Sequence, residues 1–291
     1  MTTTQTLTTR TLLAWMGIAF TDRGLDSPRL CAEILVAHVL GCERLKLYME
    51  ADRPASADEL KTLRDLTARA LKHEPVQYLT QDAWFFGMEL KADRRALIPR
   101  PATETLVECA VEFLRGDDAP AGAVLDLCTG SGCVALALAK SLKEREIMAT
   151  DVSAEALDLA LENAENLGLV ERVEFREGSL FEAVEPGAAF AASVSNPPYI
   201  PDHEWVDVEP NVKDHEPELA LRGGVDGLDV VRPIIERAPM HLMPGGLLAL
   251  EVAASTAKPT SELFEAQGYG GGRILKDFEG FERVVCGTKT Q

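Results

Sequence analysis

The 291-residue sequence predicts an α/β fold, in which a parallel sheet with helices on both faces follows a small helical domain and a β-hairpin. Two observations predict it. From about residue 101, short apolar segments with strand character alternate with helical segments, a pattern typical of parallel sheets. Before about residue 80, apolar residues recur at helical spacing and no strand pattern intervenes.

The helical domain is predicted over residues 1–80. Ser27 and Pro28 match a capping residue followed by a proline at the first helical position. Ser56 and Glu59 match a capping box. Apolar residues follow both signals at helical spacing, so each signal predicts the start of a helix.

The next segments predict a hairpin linker and then the sheet. Aromatic and apolar residues cluster around Gly87, which predicts a hairpin over residues 81–100. The sheet domain is predicted over residues 101–291. Its strands are predicted at Val124–Cys128, Ile147–Thr150, Val173–Arg176, Ala192–Ser195, Leu247–Val252, Arg273–Leu275 and Arg283–Cys286. Helices are predicted at Cys133–Leu142, after Ser153 and at Leu228–Leu242.

Composition excludes several classes of protein. Hydrophobic residues make up 46% and charged residues 26%, an ordinary globular balance. No apolar run is long enough to cross a bilayer, so no membrane association is predicted. The N-terminus lacks the basic start and apolar core of a secretory signal. The six cysteines form no CxxC pair, which predicts reduced thiols and a cytoplasmic location.

Charge is distributed unevenly along the chain. Residues 1–80 carry equal numbers of basic and acidic residues, so the whole net charge of −18 lies beyond residue 80. Such an acidic field repels phosphate backbones and lets basic protein partners approach. Solubility alone would explain the charge equally well. The acidic net charge argues against direct binding of nucleic acid.

The first candidate site is a glycine-containing turn between a strand and a helix. It comprises Asp126, Leu127, Cys128, Thr129, Gly130 and Gly132. Glycines there permit a tight turn and close approach of a ligand to the backbone. The turn matches neither the GxGxxG pattern of dinucleotide sites nor a P-loop, which argues against nucleoside triphosphate hydrolysis. By itself it is also compatible with a plain strand–helix turn.

A carboxylate follows the glycine turn at a suggestive spacing. Asp151 closes the next strand, and an acidic residue about 20 positions after such a turn suits the hydroxyls of a ribose. Asp151 could instead be an exposed helix cap, because Ser153 follows it. Together the turn and Asp151 favour an adenosine-type cofactor without saying which one.

The segment that decides the chemistry is Asn196-Pro197-Pro198-Tyr199. It follows the fourth predicted strand, and open α/β sheets bind ligands at the carboxyl ends of their strands. The Asn196 side chain offers an acceptor oxygen, and prolines have no N–H, so the turn presents carbonyls. Two acceptors beside the Tyr199 ring suit a planar NH₂ group near a cation. A bare Asn-Pro-Pro could also be only a turn.

This arrangement resembles the class I S-adenosylmethionine-dependent methyltransferases that modify planar nitrogens. Within them, the chain is similar to the HemK/PrmC family of protein-(glutamine-N5) methyltransferases acting on peptide chain release factors. The similarity extends nearly end to end. Besides the segments above, it is carried by Glu74–Leu79, Ile98–Glu104 and Glu216–Leu228.

The resemblance implies a Rossmann-like, mostly parallel seven-stranded sheet and S-adenosylmethionine as cofactor. It implies contacts to the cofactor from the glycine turn, Asp151, Asn196, and Ser179 and Leu180 near the adenine. Asn196, Pro197, Pro198 and Tyr199 would bind the substrate glutamine, with Asn196, Pro197 and Tyr199 catalytic. The 1–80 domain would dock the release factor and let its Gly-Gly-Gln loop reach the cleft. The resemblance therefore implies a function in translation termination.

The chain departs from the family pattern at several positions. Ala102 stands where a glutamate is usual, and Ser179 stands where an acidic residue is often found. Ala253–Ser255 replaces a glycine with a downstream glutamine. These departures affect the expected adenine contacts and target fit, and none touches the glycine turn or Asn196–Tyr199.

Three alternatives remain open on sequence. One is a glutamine methyltransferase of a ribosomal protein, although Pro99–Pro101 with Thr103 and Glu104 favours the release-factor branch. Another is an adenine-N6 DNA methyltransferase, which would need a basic channel and an extruded base. The third is a non-catalytic binding protein with a decayed site. His203 and His215 show no ligand spacing, so no metal is predicted.

Overall fold

The computed structural model describes residues 7–290. The first six residues of the predicted 1–80 domain and the last residue of the predicted 101–291 domain lie outside this range. The chain packs as two compact units. One ends at Asp82 and also includes Glu209–His215, and the other holds Ala83–Val208 and the chain from Glu216 onward.

The first unit is helical. Its helices are α1 (Thr9–Arg23), α2 (Pro28–Leu40), α3 (Arg44–Met49), α4 (Ala57–Ala70), α5 (Val76–Thr80) and, from the later segment, α9 (Pro210–Lys213). Their buried faces form one apolar core that includes Met16, Phe20, Leu35 and Leu63. Within residues 7–290, no helix is both long and apolar enough to span a membrane.

Two capping boxes start helices of this unit. Ser56 accepts from the Glu59 backbone N–H and Glu59 caps the Ser56 backbone, so the predicted capping box is confirmed. Thr8 and Thr11 form a second box at α1. The capping role predicted for Ser27 is wrong: its side chain makes no cap hydrogen bond, and its backbone is left-handed with φ 47°. Pro28 starts the helix by its own fixed φ.

A short hairpin follows the helices. Strands β1 (Asp82–Phe85) and β2 (Met88–Lys91) pair as a two-stranded sheet. Phe86 and Gly87 connect them, and both have positive φ, which matches the right-handed twist of paired strands. The Glu104 carboxylate accepts from the Phe86 backbone N–H at 2.7 Å and so fixes this turn.

The second unit is built on a mostly parallel sheet. Within the described residues, seven strands form it in the order β5-β4-β3-β6-β7-β9-β8. These strands are β3 (Val124–Leu127), β4 (Ile147–Asp151), β5 (Val173–Glu177), β6 (Phe190–Ser195), β7 (Leu242–Glu251), β8 (Tyr269–Lys276) and β9 (Glu282–Lys289). Strands β3 to β7 are parallel, and β9 runs antiparallel to β7 and β8. The predicted sheet is confirmed.

Helices cover the sheet. They are α6 (Glu104–Leu114), α7 (Cys133–Ser141), α8 (Ala154–Asn166), α10 (Val231–Arg237) and α11 (Ala257–Ala266). Two apolar clusters lie between helices and strands: α6 and α7 contribute to one, and α10 and α11 to the other. The helix predicted over Leu228–Leu242 is much shorter. A 3₁₀ turn, Ala238–Met240, follows α10, and β7 already begins at Leu242. Pro239 lacks the N–H needed to continue an α-helix.

Candidate functional site

A cavity of about 530 Å³ lies within the second unit, where β3, β4 and β6 end. Here β3 is flanked by β4 on one side and β6 on the other, so the strand order reverses and helices leave in opposite directions. The volume is in the range of small-molecule sites. Of the predicted site residues, those lining the cavity are Asp126, Cys128, Thr129, Gly130, Asp151, Ser179, Leu180, Asn196 and Pro198. Leu127, Gly132, Pro197 and Tyr199 are not among the residues that line it, although Pro197 lies between two residues that do.

The two glycines of the turn serve different purposes. Gly132 has φ +81°, and a Cβ there would lie 3.0 Å from the Ala160 Cβ, so it allows α7 to begin close against α8. Gly130 has φ +56°, and a Cβ there would meet only the Ala96 Cβ at 3.9 Å. The space beside Gly130 is therefore open cavity, which a ligand can approach at backbone distance.

Asp126 stabilises the glycine turn through two hydrogen bonds. Its Oδ2 accepts from the Thr129 hydroxyl at 2.6 Å and from the Ala135 backbone N–H at 3.1 Å. Burial raises the pKa of this carboxyl to about 7, although both hydrogen bonds act in the opposite direction. Burial likewise raises the pKa of the Cys128 thiol to about 12. A thiol with that pKa stays protonated, which fits a packing role better than a nucleophilic one.

Asp151 joins the glycine turn to the start of α8. Its Oδ2 accepts from the Gly130 backbone N–H at 2.8 Å, and its Oδ1 accepts from the Ser153 backbone N–H at 2.9 Å. Burial raises the pKa of Asp151, opposed by these backbone donors. Each oxygen accepts from the backbone and has a further lone pair that can accept from a ligand hydroxyl.

The Asn196 side chain has a defined orientation. Its Nδ2 donates to the Thr103 hydroxyl at 3.2 Å, which leaves Oδ1 as the acceptor available to a ligand. Asn196 follows β6 directly and is half-buried. Thr103 lies in the 3₁₀ turn Pro101–Thr103 that precedes α6.

Tyr199 is anchored at the far end of the same turn. Its hydroxyl donates to Glu251 Oε1 at 3.1 Å, and Glu251 is the last residue of β7. Burial and the Glu251 carboxylate both raise the pKa of Tyr199, so the phenol stays neutral. Gly227 packs against its backbone: a Cβ on Gly227 would lie 2.5 Å from the Tyr199 carbonyl oxygen.

A buried glutamate connects the two outer motif segments. The Glu216 carboxylate accepts from the Ile98 backbone N–H at 2.9 Å and forms an ion pair with Arg100. Its side chain is almost fully buried. The segment after it pairs with the chain beyond Tyr199, because Ile200 exchanges backbone hydrogen bonds with Leu221 and Gly223. Glu216 therefore ties the Ile98–Glu104 segment to the wall that supports Asn196–Tyr199.

Sequence reasoning missed the individual roles of three site residues. Thr103 and Glu216 lay inside segments that were identified only as family signatures. Glu251 lay within the strand predicted at Leu247–Val252 and was given no role. A usable signal existed for Glu251, because an acidic side chain within a run predicted to be buried requires a local partner.

Comparison with known proteins places the chain in a family. Residues 11–80 match the family described as the PrmC N-terminal domain, and residues 101–213 match the methyltransferase small domain. A release factor glutamine methyltransferase of Geobacter sulfurreducens is 40% identical over 281 residues, 96% of each chain. The chain belongs to the release factor glutamine methyltransferase family. Another member, from Rhodopirellula baltica, is 37% identical and covers 94% of each chain.

Solved structures of other methyltransferases share the fold of this family member. A methyltransferase from Pyrococcus furiosus superposes with a TM-score of 0.52 at 20% identity, over 81% of this chain and 100% of the other. A 16S rRNA methyltransferase from T. thermophilus, solved with AdoMet and guanosine, gives a TM-score of 0.52 at 21% identity, over 72% of this chain and 49% of the other. At this identity the similarity establishes the class I methyltransferase fold.

Proposed function

We propose that this chain transfers a methyl group from S-adenosylmethionine to the side-chain nitrogen of the glutamine in the Gly-Gly-Gln motif of peptide chain release factors. Family membership supports the reaction class. The observation that carries the chemistry is the Asn196 amide, which is fixed by Thr103 with its oxygen available beside the cavity. An oriented acceptor of that kind suits a substrate NH₂ group.

The residues present fit the proposed cofactor. Gly130 leaves open space at backbone distance, and Asp151 has lone pairs for ribose hydroxyls. Ser179 and Leu180 line the cavity, in positions proposed for the adenine. When bound, S-adenosylmethionine supplies an electrophilic methyl group on a sulfonium.

The protein's task in this mechanism is orientation. An amide nitrogen is a poor nucleophile because its lone pair is delocalised into the carbonyl. Asn196 Oδ1 and the Pro197 carbonyl would each accept one N–H of the substrate amide, which directs the nitrogen lone pair into the cavity. Positioning of this kind contributes without a strong base, and the nitrogen that gains the methyl group releases one of its protons to water. For Tyr199 we propose an anchoring role through Glu251, because its ring is outside the lining.

Methyl transfer to three substrates side by side tests the proposal. Labelled S-adenosylmethionine is incubated with purified release factors, ribosomal proteins and DNA. We expect label in release factors, at the Gly-Gly-Gln glutamine. Label confined to ribosomal protein or to DNA would contradict the proposed substrate and support one of the two alternatives. The net charge of −18 argues against DNA as the substrate.

We expect Asp151→Ala to weaken S-adenosylmethionine binding about ten- to a hundred-fold, because a charge-assisted hydrogen bond contributes about 1.5–3 kcal/mol. Part of this loss would come from the glycine turn, since Asp151 also holds the Gly130 N–H. Calorimetry at pH 8 measures the effect with the carboxylate ionised. Glu177→Ala is the matched control, because Glu177 lies opposite Asp151 on β5 and is exposed. Equal affinity of the two variants would contradict the ribose assignment.

We also propose that the helical unit docks the release factor. Helices α1 and α3 expose large apolar side chains, among them Ile18 at 64% and Met49 at 78%. The double variant Ile18→Glu/Met49→Glu is expected to raise the KM for intact release factor at least about tenfold, since burying two carboxylates in an interface is costly. Methylation of a short Gly-Gly-Gln peptide should stay unchanged.

The control for this docking experiment adds the same charge elsewhere. Ala57→Glu/Ala68→Glu places two carboxylates on exposed positions of α4. If both double variants methylate intact release factor like the unmodified chain, α1 and α3 are not the docking surface.

A further inference from the structure

Asn163 is a fully buried polar side chain that does not line the cavity. It lies on α8 and is 0% exposed. Its Oδ1 accepts from the Lys91 backbone N–H at 2.6 Å. Its Nδ2 donates to the Lys91 carbonyl at 3.2 Å and to the Ser131 carbonyl at 3.0 Å. The side chain thus uses most of its hydrogen-bonding capacity on two backbone segments that are distant in sequence.

Both of these backbone segments lead to the cavity. Ser131 belongs to the glycine turn and lines the cavity. Lys91 ends β2, and the chain after it lines the cavity at residues 95–97. We call residues 91–97 the linker segment. A Cβ on Gly130 would lie 3.9 Å from the Ala96 Cβ, so the linker segment and the glycine turn come close together at the cavity wall.

Asn163 and Asp151 hold the glycine turn at different peptide groups. Asp151 accepts from the Gly130 N–H, and Asn163 donates to the Ser131 carbonyl. The Ser131 N–H lies between these two contacts and donates to no other group among residues 7–290. A ligand in the cavity can therefore use this donor, whose direction depends on the contacts on either side of it.

Glu162, the neighbour of Asn163 on α8, attaches the same linker segment through charge. Its carboxylate accepts from Lys91 Nζ at 2.6 Å and from the Arg95 guanidinium at 2.8 and 3.0 Å. Hydrogen bonds from Arg95 and Lys91 lower the pKa of Glu162 to about 2, so the carboxylate is ionised at neutral pH. Its side chain is 38% exposed, so salt screens these ion pairs, unlike the buried contacts of Asn163.

We propose that Asn163 is a positioning residue of the cofactor site, which fixes the glycine turn and the linker segment at one separation, with Glu162 reinforcing the linker contact. A ligand that contacts both segments binds more tightly when their separation is already correct, because less binding free energy is lost in ordering them. This inference rests on the proposed function for the identity of the cofactor. The link between the two segments can be measured without any cofactor.

Calorimetry of S-adenosylmethionine binding tests the positioning role. Asn163→Ala leaves buried carbonyls without their donor and is expected to weaken binding at least about tenfold. Asn166→Ala, the same change at an exposed position of the same helix, is the matched control and should keep the affinity. Glu162→Ala should weaken binding by about two- to fivefold at low salt, and this smaller difference should vanish in about 1 M salt.

Steady-state methylation of release factor separates positioning from general loss of stability. Asn163→Ala should raise the KM for S-adenosylmethionine and leave the kcat at saturating cofactor and the KM for release factor nearly unchanged. Val285→Ala removes buried apolar volume from β9, outside the cavity lining, and provides a destabilised variant for comparison. If Val285→Ala raises the KM for the cofactor as much as Asn163→Ala does, the effect comes from lost stability and the inference is wrong.

Hydrogen exchange of the unliganded chain is a readout that needs neither cofactor nor activity. Backbone exchange in residues 88–97 and 126–136 should be faster in Asn163→Ala than in the unmodified chain, and unchanged in Asn166→Ala. Unaltered exchange in both segments would overturn the inference. If melting shows that Asn163→Ala does not fold, Glu162→Ala decides at its half-exposed position, where unchanged affinity at low salt would overturn the inference. Absence of S-adenosylmethionine binding by the unmodified chain would instead contradict the proposed function, while the exchange result would still decide whether Asn163 joins the two segments.

Discussion

Asn196→Ala is expected to fold normally and to lose about ten- to a hundred-fold in turnover of release factor. The substitution removes the acceptor Oδ1 and leaves a substrate N–H unpaired in the cleft, which costs about 1–3 kcal/mol. Each 1.36 kcal/mol corresponds to tenfold in rate. Asn196 is half-buried and its side-chain donor contacts only Thr103 in the described structure, so stability should change little.

Asn196→Asp is a second test of the orientation mechanism. It keeps an acceptor oxygen and adds a negative charge beside the proposed sulfonium site, so cofactor affinity should equal or exceed that of the unmodified chain. The positive charge on sulfur declines in the transition state, so tighter ground-state binding does not speed transfer. The rate should therefore fall.

Single-turnover measurements at saturating cofactor and release factor compare both variants. Asn166→Ala, the same change at an exposed position ending α8, is the matched control. If Asn196→Ala transfers methyl groups as fast as this control, the segment from Asn196 to Tyr199 is only a structural turn. The orientation mechanism would then have to be abandoned.

The sheet was predictable from sequence because its strands are short apolar runs punctuated by helices. Val124–Leu127 and Phe190–Ser195 are buried along their whole length, and such runs need no long-range information to be recognised. The segment around Leu228 was harder. Its apolar residues fit a helix, but β7 already begins at Leu242, and pairing with Phe190 on β6 decides that start.

The candidate site was predictable only at positions where the residue type and its immediate neighbours indicate a function. Asn196 before two prolines and Gly130 in a strand–helix turn are local signals. The contact of Asn196 with Thr103 joins residues 93 positions apart, and that of Tyr199 with Glu251 joins residues 52 apart. Such contacts depend on strand order, so the sequence could name the acceptor but not what orients it.

Gly227→Ala is expected to lower kcat about a hundred-fold although residue 227 lies outside the cavity lining. The added Cβ would lie 2.5 Å from the Tyr199 carbonyl oxygen and 3.0 Å from Pro201 Cγ, whereas ordinary contacts begin at 3.4 Å. Relief requires the chain at Tyr199 to move by roughly 1 Å, and a displacement of that size at a reacting centre can cost a hundred-fold. The neighbouring Asn196 would then lose its alignment with the substrate.

Gly187→Ala is the control that separates the effect of this clash from that of backbone strain. Gly187 has φ +86° and Gly227 has φ +78°, so alanine at either position pays a similar left-handed penalty of about 1–2 kcal/mol. A Cβ on Gly187 meets nothing within 4 Å, so that variant should lose some thermal stability and keep its kcat. Rates of release-factor methylation and thermal melting of both variants provide the comparison. If the two keep the same kcat, the contact at the Tyr199 carbonyl does not position the turn. A selective loss in Gly227→Ala would mean that the segment after Glu216 acts on the reaction by supporting Asn196–Tyr199 from behind.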